Sequence, residues 1–236
     1  MARDRASRPE AKPLRLFVAF DVPQRVRDAA QTAVAPWRER FPRAKWVPEQ
    51  NQHVTLKFLG ATWPRLVPWV QETVEAVAHA RAPVPTRALG LGAFPNARRA
   101  RVLWVGLDDR EGRLARIAAG LDEAFSREFA PETRGFTPHL TVARFVPPVE
   151  LEGLENAELD SDPFEIDRIV LHRSHLRRPA PVYEDLGAYA LGGEEGARVA
   201  RTGVPTSTSA PRRCSATASS LPDRAPGMLD LEHLFE

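Results

Sequence analysis

One tetrapeptide pattern occurs twice in this 236-residue chain and narrows the folds open to it. His53-Val54-Thr55-Leu56 and His139-Leu140-Thr141-Val142 share the order His, apolar, Thr, apolar, 86 positions apart, and each lies in a stretch that reads as a β-strand. Successive strand side chains point to opposite faces, so in each copy His and Thr share one face and the two apolar residues turn to the other. A fold that brings the two faces together makes a cleft holding two imidazoles and two hydroxyls, with no obligatory carboxylate or cysteine.

That inventory suits proton transfer around a phosphate. An imidazole titrates near pH ~6.5, so at neutral pH one histidine can accept a proton while its partner donates one. Threonine hydroxyls can donate hydrogen bonds to non-bridging phosphate oxygens without adding charge. A single His-x-Thr on a strand would mean little, because threonine favours strands and a lone histidine is most often a surface or structural residue. Two copies in equivalent strand contexts, among only six histidines in the chain, carry the functional reading.

Composition excludes several other classes. With 43% apolar residues the chain can bury a substantial core, while no apolar run reaches the ~18 residues of a membrane span. The Arg-rich start lacks the apolar stretch of a secretory signal, so the expected compartment is the cytoplasm. Cys214 is the one cysteine and can form no internal disulfide. The net charge is only +2, yet 30 of the 33 basic residues are arginine, whose planar fork suits phosphate. The clusters Arg98, Arg99 and Arg101, and Arg173, Arg177 and Arg178, are candidate RNA-backbone contacts or simply solvated surface.

Along the chain, a strand is expected at 14–20 and an amphipathic helix from Pro23 to about Phe41. The first motif strand runs over 53–59 and is punctuated by Gly60, and a helix follows over 64–81. Strands are expected at 85–94 and 101–107, a helix over 111–129, the second motif strand over 139–146, and further strands at 164–171 and 181–191. This order predicts two interleaved α+β lobes rather than a parallel doubly wound sheet. Gly90 and Gly92 lack the rest of a dinucleotide fingerprint and read as a strand bend. Residues 1–13 read as a flexible N-terminus, 14–191 as the bilobal domain, and 192–236, rich in Ser, Thr, Pro and Arg, as a disordered tail without a catalytic role.

These residues resemble the two-histidine (2H) phosphoesterases, and most closely the bacterial and archaeal RNA 2′,3′-cyclic phosphodiesterases also described as 2′-5′ RNA ligases. The resemblance rests on Arg15-Leu16-Phe17-Val18-Ala19-Phe20-Asp21, Trp46-Val47-Pro48, His53 to Gly60, Arg101-Val102-Leu103-Trp104, Phe136 to Arg144, and Pro181-Val182-Tyr183-Glu184. It implies an α+β fold of two antiparallel sheets facing a central cleft with helices outside. It also implies metal-independent, cofactor-free hydrolysis of RNA 2′,3′-cyclic phosphate ends to 2′-phosphates, by a protein for which a monomer suffices. Carried over, His53 is the proton donor, His139 the proton acceptor, and Thr55, Thr141 and Arg144 hold the phosphate.

Two positions resist simple alternation. Arg144 stands five residues after His139, so an ideal strand turns it away from the cleft, and a bulge or strand end must redirect it. Lys57 has the parity of His53 but lies about 13 Å along the strand, which predicts a rim or surface role.

Other functional classes also fit parts of this sequence. His172-Arg173-Ser174-His175 is a candidate metal-ligand pair, although i, i+3 spacing suits a helix and this segment reads as strand. A catalytically silent RNA-end-binding module could stack bases on Trp46, Phe58, Trp104 or Phe136, which read more simply as core residues. The same constellation could also act on another cyclic or 2′-5′-linked nucleotide.

Overall fold

The structure, a computed structural model, describes residues 12–178 and 180–193. Most of the expected N-terminal segment and almost all of the expected tail therefore lie outside the described residues. Within them the chain is α+β, with strands β1 (Leu14–Asp21), β2 (Lys45–Trp46), β3 (His53–Thr62), β4 (Val84–Thr86), β5 (Ala88–Phe94), β6 (Ala100–Leu107), β7 (His139–Val149), β8 (Phe164–Ile166), β9 (Arg168–His175) and β10 (Val182–Ala190). The helices are α1 (Gln24–Ala33), α2 (Ala35–Arg40), α3 (Val67–His79) and α4 (Arg113–Phe125).

The strands form two antiparallel halves. One has the order β10-β9-β1-β3; in the other β7 lies between β2 and β6, and β5 flanks β6. The halves are joined where Val54 of β3 pairs with Leu140 of β7, which makes the two expected sheets one continuous path. β4 and β8 pair separately.

Alternation places the core. Leu16, Val18 and Phe20 of β1, Val54 and Leu56 of β3, Leu103 and Val105 of β6, and Leu140 and Val142 of β7 are all buried on the helix side. Helix α4 packs on β3, and α3 packs on β9 and β10, burying Val70, Val74 and Ala78. Behind the other half, Phe41 at the end of α2 meets Phe145 of β7 edge to face, with ring centroids 5.5 Å apart.

Three expected elements differ in detail. The helix expected from Pro23 to about Phe41 is two helices, because Pro36 in the first turn of α2 has no N–H to continue the ladder from α1. The segment 164–171 divides between β8 and β9. β3 continues past Gly60 to Thr62: Leu59 and Gly60 together oppose Leu16, and Gly60 takes a φ of 62°, so this glycine bends the strand instead of ending it.

Candidate active site

The Val54–Leu140 pair is the pivot of the site. Antiparallel pairing about it carries His53 toward Thr141 and Thr55 toward His139, a local two-fold relation between the repeated motifs. All four side chains lie on the face opposite the buried Val54 and Leu140, and all four are half-buried. The arrangement continues backwards. His139 Nδ1 is 2.8 Å from the Thr137 carbonyl, and His53 bonds the Asn51 carbonyl, in each case two residues upstream. A carbonyl only accepts, so Nδ1 of His139 carries hydrogen and Nε2 is left as the basic nitrogen of the neutral ring.

A bulge answers the question of Arg144. On β7, Thr141 pairs with Trp104 and Ala143 with Leu103, so Val142 and Ala143 together oppose one residue. Both stay on the buried face, and Arg144, opposite Val102, returns to the face of His139 and Thr141. Its guanidinium acts electrostatically on both histidines.

The same bulge in β3 overturns the expectation for Lys57. Thr55 pairs with Ala19 and Lys57 with Val18, so Leu56 and Lys57 together oppose Val18 and both face the helices. Lys57 is 2% exposed, not at a rim. Its Nζ is 2.5 Å from Asp122 of α4, donates to the Ala130 carbonyl at 2.9 Å, and lies 3.6 Å from Glu132. Phe58 occupies the position equivalent to Arg144 and is 46% exposed on the cleft face.

Aromatic rings enclose both histidines. Phe17 stacks on His53 with centroids 4.8 Å apart, and Tyr183 meets His53 edge to face at 5.2 Å. Phe94 meets His139 edge to face at 5.1 Å, and Trp104 lies 6.0 Å away. The Trp104 indole rests against the backbone of Gly92, its cross-strand partner, where a Cβ would overlap the ring. Gly90, at φ 69°, supplies the expected bend, whereas Gly92 serves as a seat for this indole. Trp46 and Phe136 pack against the core. Neither Phe17 nor Tyr183 has a site role on sequence grounds alone; the alternation Arg15, Phe17, Ala19 is the signal that sets Phe17 on one face.

The environment favours neutral imidazoles. Burial, then the charges of His172, Arg144 and Arg27, push His53 down to about 3 against the opposing Asn51 bond. Burial and Arg144 also lower His139, against the Thr137 bond. Burial raises the Tyr183 hydroxyl, and the Arg144 charge opposes the rise.

The candidate metal pair does not converge. His172 pairs with Asp185 on the cleft face, while His175 pairs with Val182 on the other face and has Nε2 2.7 Å from Glu184. Residues i and i+3 of one strand point to opposite sides, so the two imidazoles cannot share an ion. Among the described residues no cluster of three or more His, Cys, Asp or Glu is placed to hold a metal, and no helix is long and apolar enough to cross a membrane.

Fold and cleft define a class: an α+β protein whose two halves each present a His-x-Thr strand to one site. The chain belongs to the 2′-5′ RNA ligase superfamily, whose sequence model matches residues 26–178. It is 36% identical over 198 residues to an RNA 2′,3′-cyclic phosphodiesterase of Thermus thermophilus, covering 78% of this chain and 93% of that protein. Another RNA 2′,3′-cyclic phosphodiesterase, from Methanothermobacter thermautotrophicus, is 31% identical over 186 residues, covering 75% and 99%. Among solved structures, TT0787 of Thermus thermophilus superposes with a TM-score of 0.63 at 30% identity, covering 77% of this chain and all of that one. E. coli LigT complexed with 3′-AMP shares the fold at 22% identity and a TM-score of 0.61, covering 76% and 98%.

Proposed function

We propose that this protein hydrolyses the 2′,3′-cyclic phosphate at RNA ends to a 2′-phosphomonoester, without a metal or cofactor. The observation that carries the reading is the pairing of the two His-x-Thr motifs about Val54 and Leu140, with Arg144 turned onto the same face by the bulge.

Nε2 of His139 takes a proton from water, whose oxygen attacks phosphorus in line with the 3′ oxygen. The P–O3′ bond breaks, and the departing oxygen takes the proton of His53, leaving phosphate on O2′. Arg144 and the hydroxyls of Thr55 and Thr141 hold the non-bridging oxygens as charge gathers on them. His53 is poorly protonated in the free site, and the anionic phosphodiester supplies the charge that lets it carry a proton. With the 5′-hydroxyl of a second RNA in place of water, the same steps form a P–O5′ bond, break P–O3′ and join the ends through a 2′-5′ linkage, the departing O3′ taking the proton of His53. A cytoplasmic monomer acting on RNA ends or cyclic-phosphate nucleotides completes the reading.

The test is turnover of a 2′,3′-cyclic-phosphate nucleotide or short RNA by the full chain in EDTA, with the product assigned by phosphorus NMR. A 2′-phosphate is expected from wild type. His53→Ala and His139→Ala should each lose about 10²–10⁴-fold in rate while remaining folded. Formation of a 3′-phosphate, or turnover indifferent to both substitutions, would refute the assignment.

A further inference from the structure

His172 is a third histidine on the cleft face that the proposed reaction does not use. It lies on β9, two strands from His53, with β1 between them. His53 pairs with Asp21 and His172 with Phe17, four residues apart on β1, yet the ring centroids of His53 and His172 are only 5.9 Å apart. Both rings lean inward over Phe17, which stacks on His53 at 4.8 Å and on His172 at 5.0 Å, each with an interplanar angle of 27°. Tyr183 closes the group, 5.2 Å from His53 and 6.3 Å from His172.

The ring of His172 has no use as a substrate ligand. The residue is 5% exposed, and neither ring nitrogen is reachable from solvent or hydrogen-bonded to a described residue. Nδ1 lies 2.8 Å from a carboxylate oxygen of Asp185, its cross-strand neighbour, at ion-pair distance but outside hydrogen-bonding alignment. A buried imidazole without hydrogen bonds is costly to keep unless it has a task. Beside the rings of Phe17 and Tyr183, its neighbours are one carboxylate, which counters a positive ring, and one reacting histidine.

We propose that His172, beside the Asp185 carboxylate, is a positioning residue for His53, holding its ring against Phe17 and opposing positive charge on it from 5.9 Å away. The proposal rests on the reading of His53 as the reacting acid. A positive charge on one imidazole opposes a positive charge on another this close to it. Other charged and titratable groups also surround the pair. Asp185 and Tyr183 face the pair from β10, Asp21 and Arg15 come from β1, Arg27 from α1, and Arg144 from β7. Among these, the charge of His172 is the strongest one acting on His53.

The test is His172→Phe in the full chain, which keeps a ring on Phe17 and removes the charge, beside His172→Gln, which removes both ring and charge. Histidine ring signals followed by NMR against pH, assigned with His53→Gln, read the coupling directly. In both variants the His53 midpoint should rise by about one unit or more, a tenfold change in its protonation equilibrium. The acid limb of kcat/KM against pH should rise with it, and His139 should stay in place. An unmoved His53 midpoint in His172→Phe overturns the proposal. If the NMR midpoint moves while the rate profile does not, the coupling stands and the assignment of His53 as reacting acid fails.

Discussion

Replacing Lys57 by methionine removes a charge from the interior without opening a large void, and the structure sets the cost. The Lys57 side chain is 1% exposed, and its Nζ serves Asp122, Glu132 and the Ala130 carbonyl together. Breaking a fully buried pair costs about 3–5 kcal/mol, because the remaining charge stays desolvated. Here the partners have partial access to water, Asp122 at 24% and Glu132 at 50%, and Asp122 keeps a bond from the Glu132 N–H at 3.0 Å. The expected loss for Lys57→Met is therefore about 2–3 kcal/mol. With a urea slope of about 2 kcal/mol/M, the unfolding midpoint falls by about 1 M or more.

A second substitution separates this account from simple loss of packing. Lys57→Met with Asp122→Leu should regain much of the loss, because no charge is left stranded. The pH dependence has a definite sign. Burial pulls the Asp122 carboxyl up, but the Lys57 hydrogen bond, the Glu132 N–H and the Lys57 charge outweigh it and leave the group below its ordinary value. A carboxyl depressed in the folded state stabilises above its unfolded value and loses that contribution as pH falls through the folded one. Wild type should thus lose this part of its stability only below about pH 4, and Lys57→Met should lack the share that Lys57 supplies at all pH values. A change under about 0.5 kcal/mol in Lys57→Met would refute the reasoning and return Lys57 to the surface.

Two further outcomes follow from the bulge and from the seat of Trp104. Arg144→Ala should lower kcat/KM about 10–100-fold, the worth of charge-assisted bonds to phosphate, and should raise the NMR titration midpoints of both His53 and His139, since the guanidinium opposes their charging; unchanged midpoints would place Arg144 away from the cleft. Gly92→Ala should destabilise the fold by about 1–3 kcal/mol because the new Cβ overlaps the indole, which must leave its seat; a neutral result in chemical denaturation would mean that the indole rests elsewhere.

How much of this was legible in the sequence depends on which interactions are local. The pairing of His53 with Thr55 and of His139 with Thr141 on one face follows from strand alternation, and the structure keeps both. The helix break at Pro36 was also present in the sequence, as a proline without a donor, but the amphipathic pattern on either side read as one helix. His172 stood in the sequence as half of a metal pair, and its neighbour across β1 could not be known before the strand order was.

The chain by itself therefore determined the chemistry on offer: two imidazoles, two hydroxyls, and the period-two rule that places each pair on one face. Only the tertiary structure decided which long side chains join them. Lys57 and Arg144 are misassigned by alternation for one reason: in each motif two consecutive residues, Leu56-Lys57 and Val142-Ala143, oppose a single partner, Val18 or Leu103. A bulge of this kind belongs to the register between two strands. No residue within the bulged strand announces it, because the hydrogen bonds that define it are made with β1 and β6, segments distant in the chain.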